Sequence, residues 1–171
     1  MAQELPVLVV GGGIGGLAAA LALARKGLKV RVFEQGSEFA EIGAGIQLGP
    51  NVYRMFELLG LTDAIEGYSV HPDNMVMMDG LTGEEVIRLP VGGAAFRKRF
   101  AGYLYGVIHR ADLHQVFLEA CKGEKNVELN VLAKGESFEQ DGARVALQLE
   151  GGERVEGCAL IGADGLCLGI A

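Results

Sequence analysis

Near the start of this 171-residue chain, Gly11-x-Gly13-x-x-Gly16 directly follows the apolar run Pro6–Val10 and opens a stretch of strong helix formers. A glycine string alone is a weak signal. Its placement between a buried strand and a helix is what the dinucleotide-binding fingerprint requires. In that reading Gly11 permits the tight turn, Gly13 lets a pyrophosphate approach the backbone, and Gly16 lets helix pack on strand. The helix N-terminus then offers free N–H groups and a positive dipole end to the phosphate. Glu34 ends the next strand, 21 residues beyond Gly13. A carboxylate there can accept hydrogen bonds from ribose hydroxyls and repels a 2′-phosphate. A glycine turn that serves only packing is the plain alternative, and the fingerprint fits NAD and FAD alike.

The other reactive side chains point to less. His71, His109 and His114 show no metal-ligand spacing, and His109 and His114 lie five apart, off the same-face intervals of a helix. Cys121, Cys158 and Cys167 are odd in number with no C-x-x-C pair, so neither a disulfide framework nor a zinc site follows, and a reducing cytoplasm is the expected location. Arg97-Lys98-Arg99 reads as a solvated loop rather than a phosphate clamp, and Met75, Met77 and Met78 as strand and core residues. No serine or cysteine sits in a nucleophile elbow. No catalytic residue and no metal ligand is assigned.

These residues need elements to hold them. Pro6–Val10 suits a strand buried on both faces. Ile14–Lys26 is helical and ends at Gly27, a residue type favoured just past a helix end. Lys29–Phe33 completes a β-α-β unit. Gly36–Pro50 reads as loop, and Asn51–Leu59 as a short helix with Met55, Leu58 and Leu59 inward, stopped by Gly60. Met75–Met78 and Glu85–Leu89 flank the turn Asp79–Gly83 as a hairpin. Ala111–Cys121 is helical, with Leu113, Val116, Phe117 and Ala120 on one face. Val127–Leu132 is expected as a third parallel strand. A meander of Glu136–Gln140, Ala143–Leu149 and Arg154–Glu156 follows, and then a last apolar strand, Cys158–Ile161. Repeats are absent, and no linker suggests a second domain.

Composition narrows the partners. The net charge of −7 offers no basic footprint for nucleic acid or anionic lipid. Half the residues are hydrophobic and 22% charged, which excludes disorder. Glycine, at 27 residues, runs at more than twice its usual share of about 7%. Residues 5–24 carry no charge and match the roughly 20 residues of a membrane span. Five glycines within Gly11–Gly16, however, fit a strand, a turn and a helix better than a membrane segment.

Two further stretches, EIGAGIQLGPNVYRMFELLGL (Glu41–Leu61) and VIHRADL (Val107–Leu113), are followed by ALIGADG (Ala159–Gly165). Together with the fingerprint they resemble the group A flavoprotein aromatic hydroxylases, in order and at family spacing over essentially the whole chain. The closest likeness is to the branch that hydroxylates 3-hydroxybenzoate and salicylate. The resemblance implies an α/β fold: a mainly parallel, Rossmann-type FAD-binding sheet with a β-meander crossover. It implies FAD as cofactor, NADH or NADPH as co-substrate, O₂-dependent hydroxylation of a small aromatic acid, and no membrane or nucleic-acid partner. Gly11, Gly13, Ile14, Gly15 and Gly16 would lie along the FAD pyrophosphate, and Glu34, with Gln35 beside it, at the adenosine ribose. Arg110 matches the family arginine that contacts the cofactor near its phosphates, although an ordinary helix-start arginine is the alternative. Gln47, in the loop expected near the flavin ring, could hydrogen-bond there or simply face solvent.

Asp164-Gly165 matches the family's Asp-Gly motif for FAD and the nicotinamide coenzyme; it also fits a strand-end turn. The family continues to a serine and then an arginine, where this chain has Leu168 and Ala171. Family members are more than twice as long. Residues 1–171 are therefore expected to be an N-terminal FAD-binding portion, with substrate domain and C-terminal part absent. Such a portion should hold the ADP half of the FAD site, catalyse no hydroxylation alone, and self-associate through strands normally covered by later sequence. An NAD-dependent dehydrogenase and a non-catalytic remnant are the other readings of the same residues.

Overall fold

The computed structural model describes residues 5–40 and 43–165. Cys167, Leu168, Ala171, Glu41 and Ile42 lie outside them. The elements in chain order are β1 (Val7–Val10), α1 (Ile14–Ala24), β2 (Val30–Phe33), β3 (Gly45–Leu48), α2 (Pro50–Leu58) and α3 (Thr62–Glu66). Next come β4 (Asn74–Met78), β5 (Glu85–Pro90), α4 (Gly93–Arg99), β6 (Gly106–His109) and α5 (Arg110–Gly123). The last five are β7 (Val127–Asn130), β8 (Gly135–Asp141), β9 (Arg144–Leu149), β10 (Arg154–Gly157) and β11 (Ala159–Gly162). The chain divides into two compact units, one of Met1–Ile42 with His114–Ala171 and one of Gly43–Leu113.

In the first unit an all-parallel sheet has the order β11-β1-β2-β7, as expected for a Rossmann-type α/β fold. The registers pair Val7 with both Val30 and Ala159, and Val30 with Val127. Four-residue strands this apolar are buried on both faces: all four residues of β1 are covered. One face takes Leu8, Val10 and Phe33 into a cluster with Val145, Leu147 and Leu149 of β9 and Val155 of β10. β8, β9 and β10 form the antiparallel meander, which connects β7 at one edge of the parallel sheet to β11 at the other. Helix α1 buries Gly16, Leu17, Ala20, Leu21 and Ala24. Its end is closed by Gly27 at φ +86°, and Asn126 Nδ2 donates to the carbonyls of Ala24 and Leu28 at 2.8 and 2.6 Å. The Ala24 carbonyl, in the last turn of α1, thus accepts from both Asn126 and the Gly27 N–H, so a helix-terminal acceptor is satisfied.

Cys121, on α5, packs against α1 and donates its thiol to Leu17 O at 3.3 Å. Burial pushes the thiol up to about 11 from its ordinary 9.0. The folded state thus keeps the neutral thiol where the unfolded chain would ionise, and this contribution to stability declines as pH rises from 9.0 towards about 11. Iodoacetamide at pH 8 is expected to alkylate exposed Cys158 while Cys121 reacts only after unfolding, as read by peptide mass mapping. Equal native labelling of the two would contradict the burial.

The second unit departs more from expectation. The segment Gly36–Pro50, read as loop, contains β3, which exists by pairing antiparallel with β6 (Gly45 with His109, Leu48 with Gly106). That pairing spans about 60 residues and leaves no local signature. Helix α3 was also not anticipated. The inward face of α2 is Tyr53 and Phe56, with Met55 47% and Leu58 69% exposed. The aromatic pair packs edge to face at 5.7 Å, and its larger apolar surface outweighs the aliphatic stripe. The β4–β5 hairpin forms as expected, but Met77 and Met78 are exposed rather than core. Arg97-Lys98-Arg99 is solvated as expected, yet it forms the last turn of α4, where cations suit the helix dipole. Among the described residues no helix is long and apolar enough to cross a membrane.

Candidate functional site

The first unit gathers its fingerprint residues at the carboxyl ends of its parallel strands, where open α/β sheets bind ligands. Beyond Val10 the chain turns at Gly11, whose φ of +106° is a left-handed value that L side chains rarely adopt. A Cβ at Gly11 would sit 2.2 Å from Ala163 O, just past β11. At Gly16 a Cβ would lie 1.9 Å from Gly11 O, so α1 rests directly on the turn. Gly15 is the opposite case: it is exposed, and nothing lies within 4 Å of where its Cβ would be. Gly13 is the N-cap of α1, no side chain bonds the cap, and no acidic residue occupies the first turn. The first-turn N–H groups and the dipole's positive end are thus left to a ligand.

Glu34 follows β2 and is half-buried. Its Oε2 accepts the Gly12 N–H at 2.7 Å and its Oε1 the Gly36 N–H at 2.8 Å. A carboxylate has about four acceptor positions, so roughly two remain for hydroxyls. Phe39 lies over Gly12, where a Cβ would come within 2.4 Å of its ring. Gln35, next in sequence, is exposed. Asp164 is half-buried, with its backbone nitrogen 2.8 Å from a Cβ placed on Gly11, and Gly165 follows at φ +80°. The glycine turn, Glu34 and the Asp164 backbone therefore meet at one end of one sheet. A cleft at the amino ends of the strands, lined by Pro6, Lys29, Arg31, Asn126 and Arg154, lies at the other end.

The remaining two candidates belong to the second unit. Gln47 is an exposed residue of β3, not of a loop, and Arg110 opens α5 with an exposed side chain. Gly43 gives Arg110 room, since a Cβ there would lie 2.8 Å from Arg110 Cδ, and Arg110 N donates to Ala44 O at 3.2 Å.

A cradle of uncapped N–H groups, an open position at Gly15 and a carboxylate beside the turn suit a dinucleotide. A family model described as an FAD binding domain matches residues 4–167. The chain belongs to this FAD-binding family. As an FAD-binding domain it is 50% identical over 163 residues to a 3-hydroxybenzoate 6-hydroxylase of Polaromonas naphthalenivorans, covering 95% of this chain and 40% of that protein. Among solved structures it is similar to the tetrameric form of 2-methyl-3-hydroxypyridine-5-carboxylic acid oxygenase, with a TM-score of 0.85 at 27% identity, over 99% of this chain and 42% of that one. It is also similar to the flavin-dependent monooxygenase PieE, solved with FAD and substrate, with a TM-score of 0.80 at 27% identity, over 96% and 31%. The FAD-binding domain spans about two fifths of the length of the curated relative.

His114 and Phe39 carry no sequence signal for the parts they play at the turn. Each is recognisable only through contacts with Gly12, made by His114 from 102 positions away.

Proposed function

We propose that this FAD-binding domain serves an NAD(P)H- and O₂-dependent monooxygenase that hydroxylates a small aromatic acid such as a hydroxybenzoate. Support for the chemistry comes from the 50% identity to a 3-hydroxybenzoate 6-hydroxylase, and support for the cofactor from the clamped carboxylate beside an uncapped helix. The N–H groups of Gly13, Ile14, Gly15 and Gly16 would face the pyrophosphate, and Gly11 sets the turn that presents them. Glu34 would accept the adenosine ribose hydroxyls with Gln35 at the rim, and Asp164 would lie against the far side of the turn. Arg110 would present its guanidinium fork to phosphate oxygens, and Gln47 would hydrogen-bond near the flavin. Bound FAD would supply the redox and oxygen-activating chemistry, while the protein's share is to bind, orient and keep water out. The tetrameric relative and the exposed apolar hairpin support self-association, and the odd cysteine count supports a reducing, cytoplasmic setting. An NAD-dependent dehydrogenase would use the same Gly11–Glu34 unit, but the FAD family match favours the flavin.

Calorimetry with FAD and ADP-ribose on wild type, Glu34→Ala and Gly13→Val tests the site. Glu34→Ala is expected to weaken both ligands by about 1–3 kcal/mol, as befits a charge-assisted bond. Gly13→Val would place a branched side chain where the pyrophosphate must approach. Equal binding by all three proteins would refute the assignment.

A further inference from the structure

His114 is buried to 2% exposure on α5, a costly place for an imidazole unless it is hydrogen-bonded. Its Nε2 lies 2.8 Å from the carbonyl oxygen of Gly12. A carbonyl only accepts, so the facing ring nitrogen must carry the hydrogen. The peptide joining Gly12 to Gly13 is trans, and in a trans peptide C=O and N–H point in opposite directions. Holding Gly12 O towards α5 therefore turns the Gly13 N–H away from α5. Meanwhile Glu34 Oε2 takes the Gly12 N–H at 2.7 Å. Both polar groups of Gly12 are thus tied down. Two successive glycines otherwise have the greatest backbone freedom of any pair, and an untethered peptide there could rotate at little cost.

We infer that His114 is a positioning residue that orients the Gly12–Gly13 peptide so that its N–H is set in advance for the diphosphate of a dinucleotide. The inference rests on the reading of this turn as the nucleotide site. His114 touches no ligand in this arrangement. It lowers the ordering cost of binding by fixing the donor beforehand. Its Nε2 needs only a neutral donor, which a glutamine amide can supply from nearly the same position.

The test has one arm without ligand and one with it. In the nucleotide-free chain, long-range ¹⁵N–¹H spectra should show the Nε2–H tautomer of His114. The Gly12 amide, bonded to Glu34 Oε2 in the same tethered peptide segment, should exchange hydrogen at least about tenfold faster in His114→Leu, and near the wild-type rate in His114→Gln. With ADP as the probe, His114→Leu is expected to bind about tenfold more weakly, and His114→Gln within about threefold of wild type. An Nδ1–H tautomer would overturn the inference even if His114→Leu failed to fold. So would a glutamine variant as weak as the leucine one despite a wild-type melting temperature. A wild-type chain that ignores ADP would refute the nucleotide-site reading and this role with it. Tautomer and exchange results as expected in that case would confine the fault to the ligand assignment, leaving only the tether.

Discussion

Gly16→Ala is expected to destabilise the chain by about 3 kcal/mol, at the upper end of what overpacking costs, which lowers the melting temperature by roughly 6–12 °C for a domain of this size. The added Cβ would meet Gly11 O at 1.9 Å. That oxygen is backbone, and Gly11 itself is fixed by its N–H on Phe33 O at 2.8 Å and by the approach of Ala163. The clash can only be relieved by lifting the N-terminus of α1 off the sheet. Gly15→Ala is the informative partner. Nothing lies within 4 Å of its Cβ, and alanine is favoured over glycine in a helix by up to about 1 kcal/mol. Gly15→Ala should therefore melt at or slightly above wild type, yet bind FAD more weakly, because its methyl points into the space assigned to the pyrophosphate. Thermal melts with and without FAD measure both effects. Two variants that lose stability alike, or a Gly15→Ala protein with unchanged FAD affinity, would show that the turn is shaped for packing alone.

Phe33→Ala is expected to cost about 3–5 kcal/mol, the range for truncating a buried aromatic. Phe33 is 1% exposed and stands in the cluster that joins the parallel sheet to Val145, Leu147 and Leu149 of the meander. Those neighbours belong to strands tied into ladders and cannot collapse far into the space. The residue also precedes Glu34, so relaxation of β2 would move the carboxylate. Phe138→Ala, at a side chain 45% exposed, should change stability by no more than about 0.5 kcal/mol. Denaturant titration of both variants separates core from surface. A Phe33→Ala loss under about 1 kcal/mol would mean that the meander is not packed as described.

The first unit was largely legible in the sequence, because its signals are local and redundant. Short apolar runs marked β1 and β11, and the turn pairs Asp141-Gly142 and Gly151-Gly152 marked the meander. The fingerprint spacing singled out the turn proposed to face the nucleotide. The second unit was less legible for two reasons. β3 owes its existence to a partner strand about 60 residues away, and α2 had two competing apolar stripes that differ by a fraction of a turn. Tyr53 and Phe56 won over Met55 and Leu58 through what they meet, which a helical wheel does not contain. Likewise the residues flanking the glycine turn were readable only where type and spacing coincide, as for Glu34. His114 looked unremarkable on its helix because its partner, a backbone carbonyl, has no side chain to spell it.

The order β11-β1-β2-β7 also governs how the chain is born. Strand β1 finds β2 within about 25 residues, but the strand for its other side appears only after about 150, a separation that delays closure. At a synthesis rate of roughly 5–20 residues per second, one edge of an entirely apolar strand waits about 8–30 s for Ala159–Gly162 to emerge. An unpaired edge of that kind is a template for any passing strand, and the nascent chain is most exposed to mispairing during this interval. Slower translation lengthens the interval in proportion, and a chaperone that shields Val7–Val10 would be needed most before residue 159 is made.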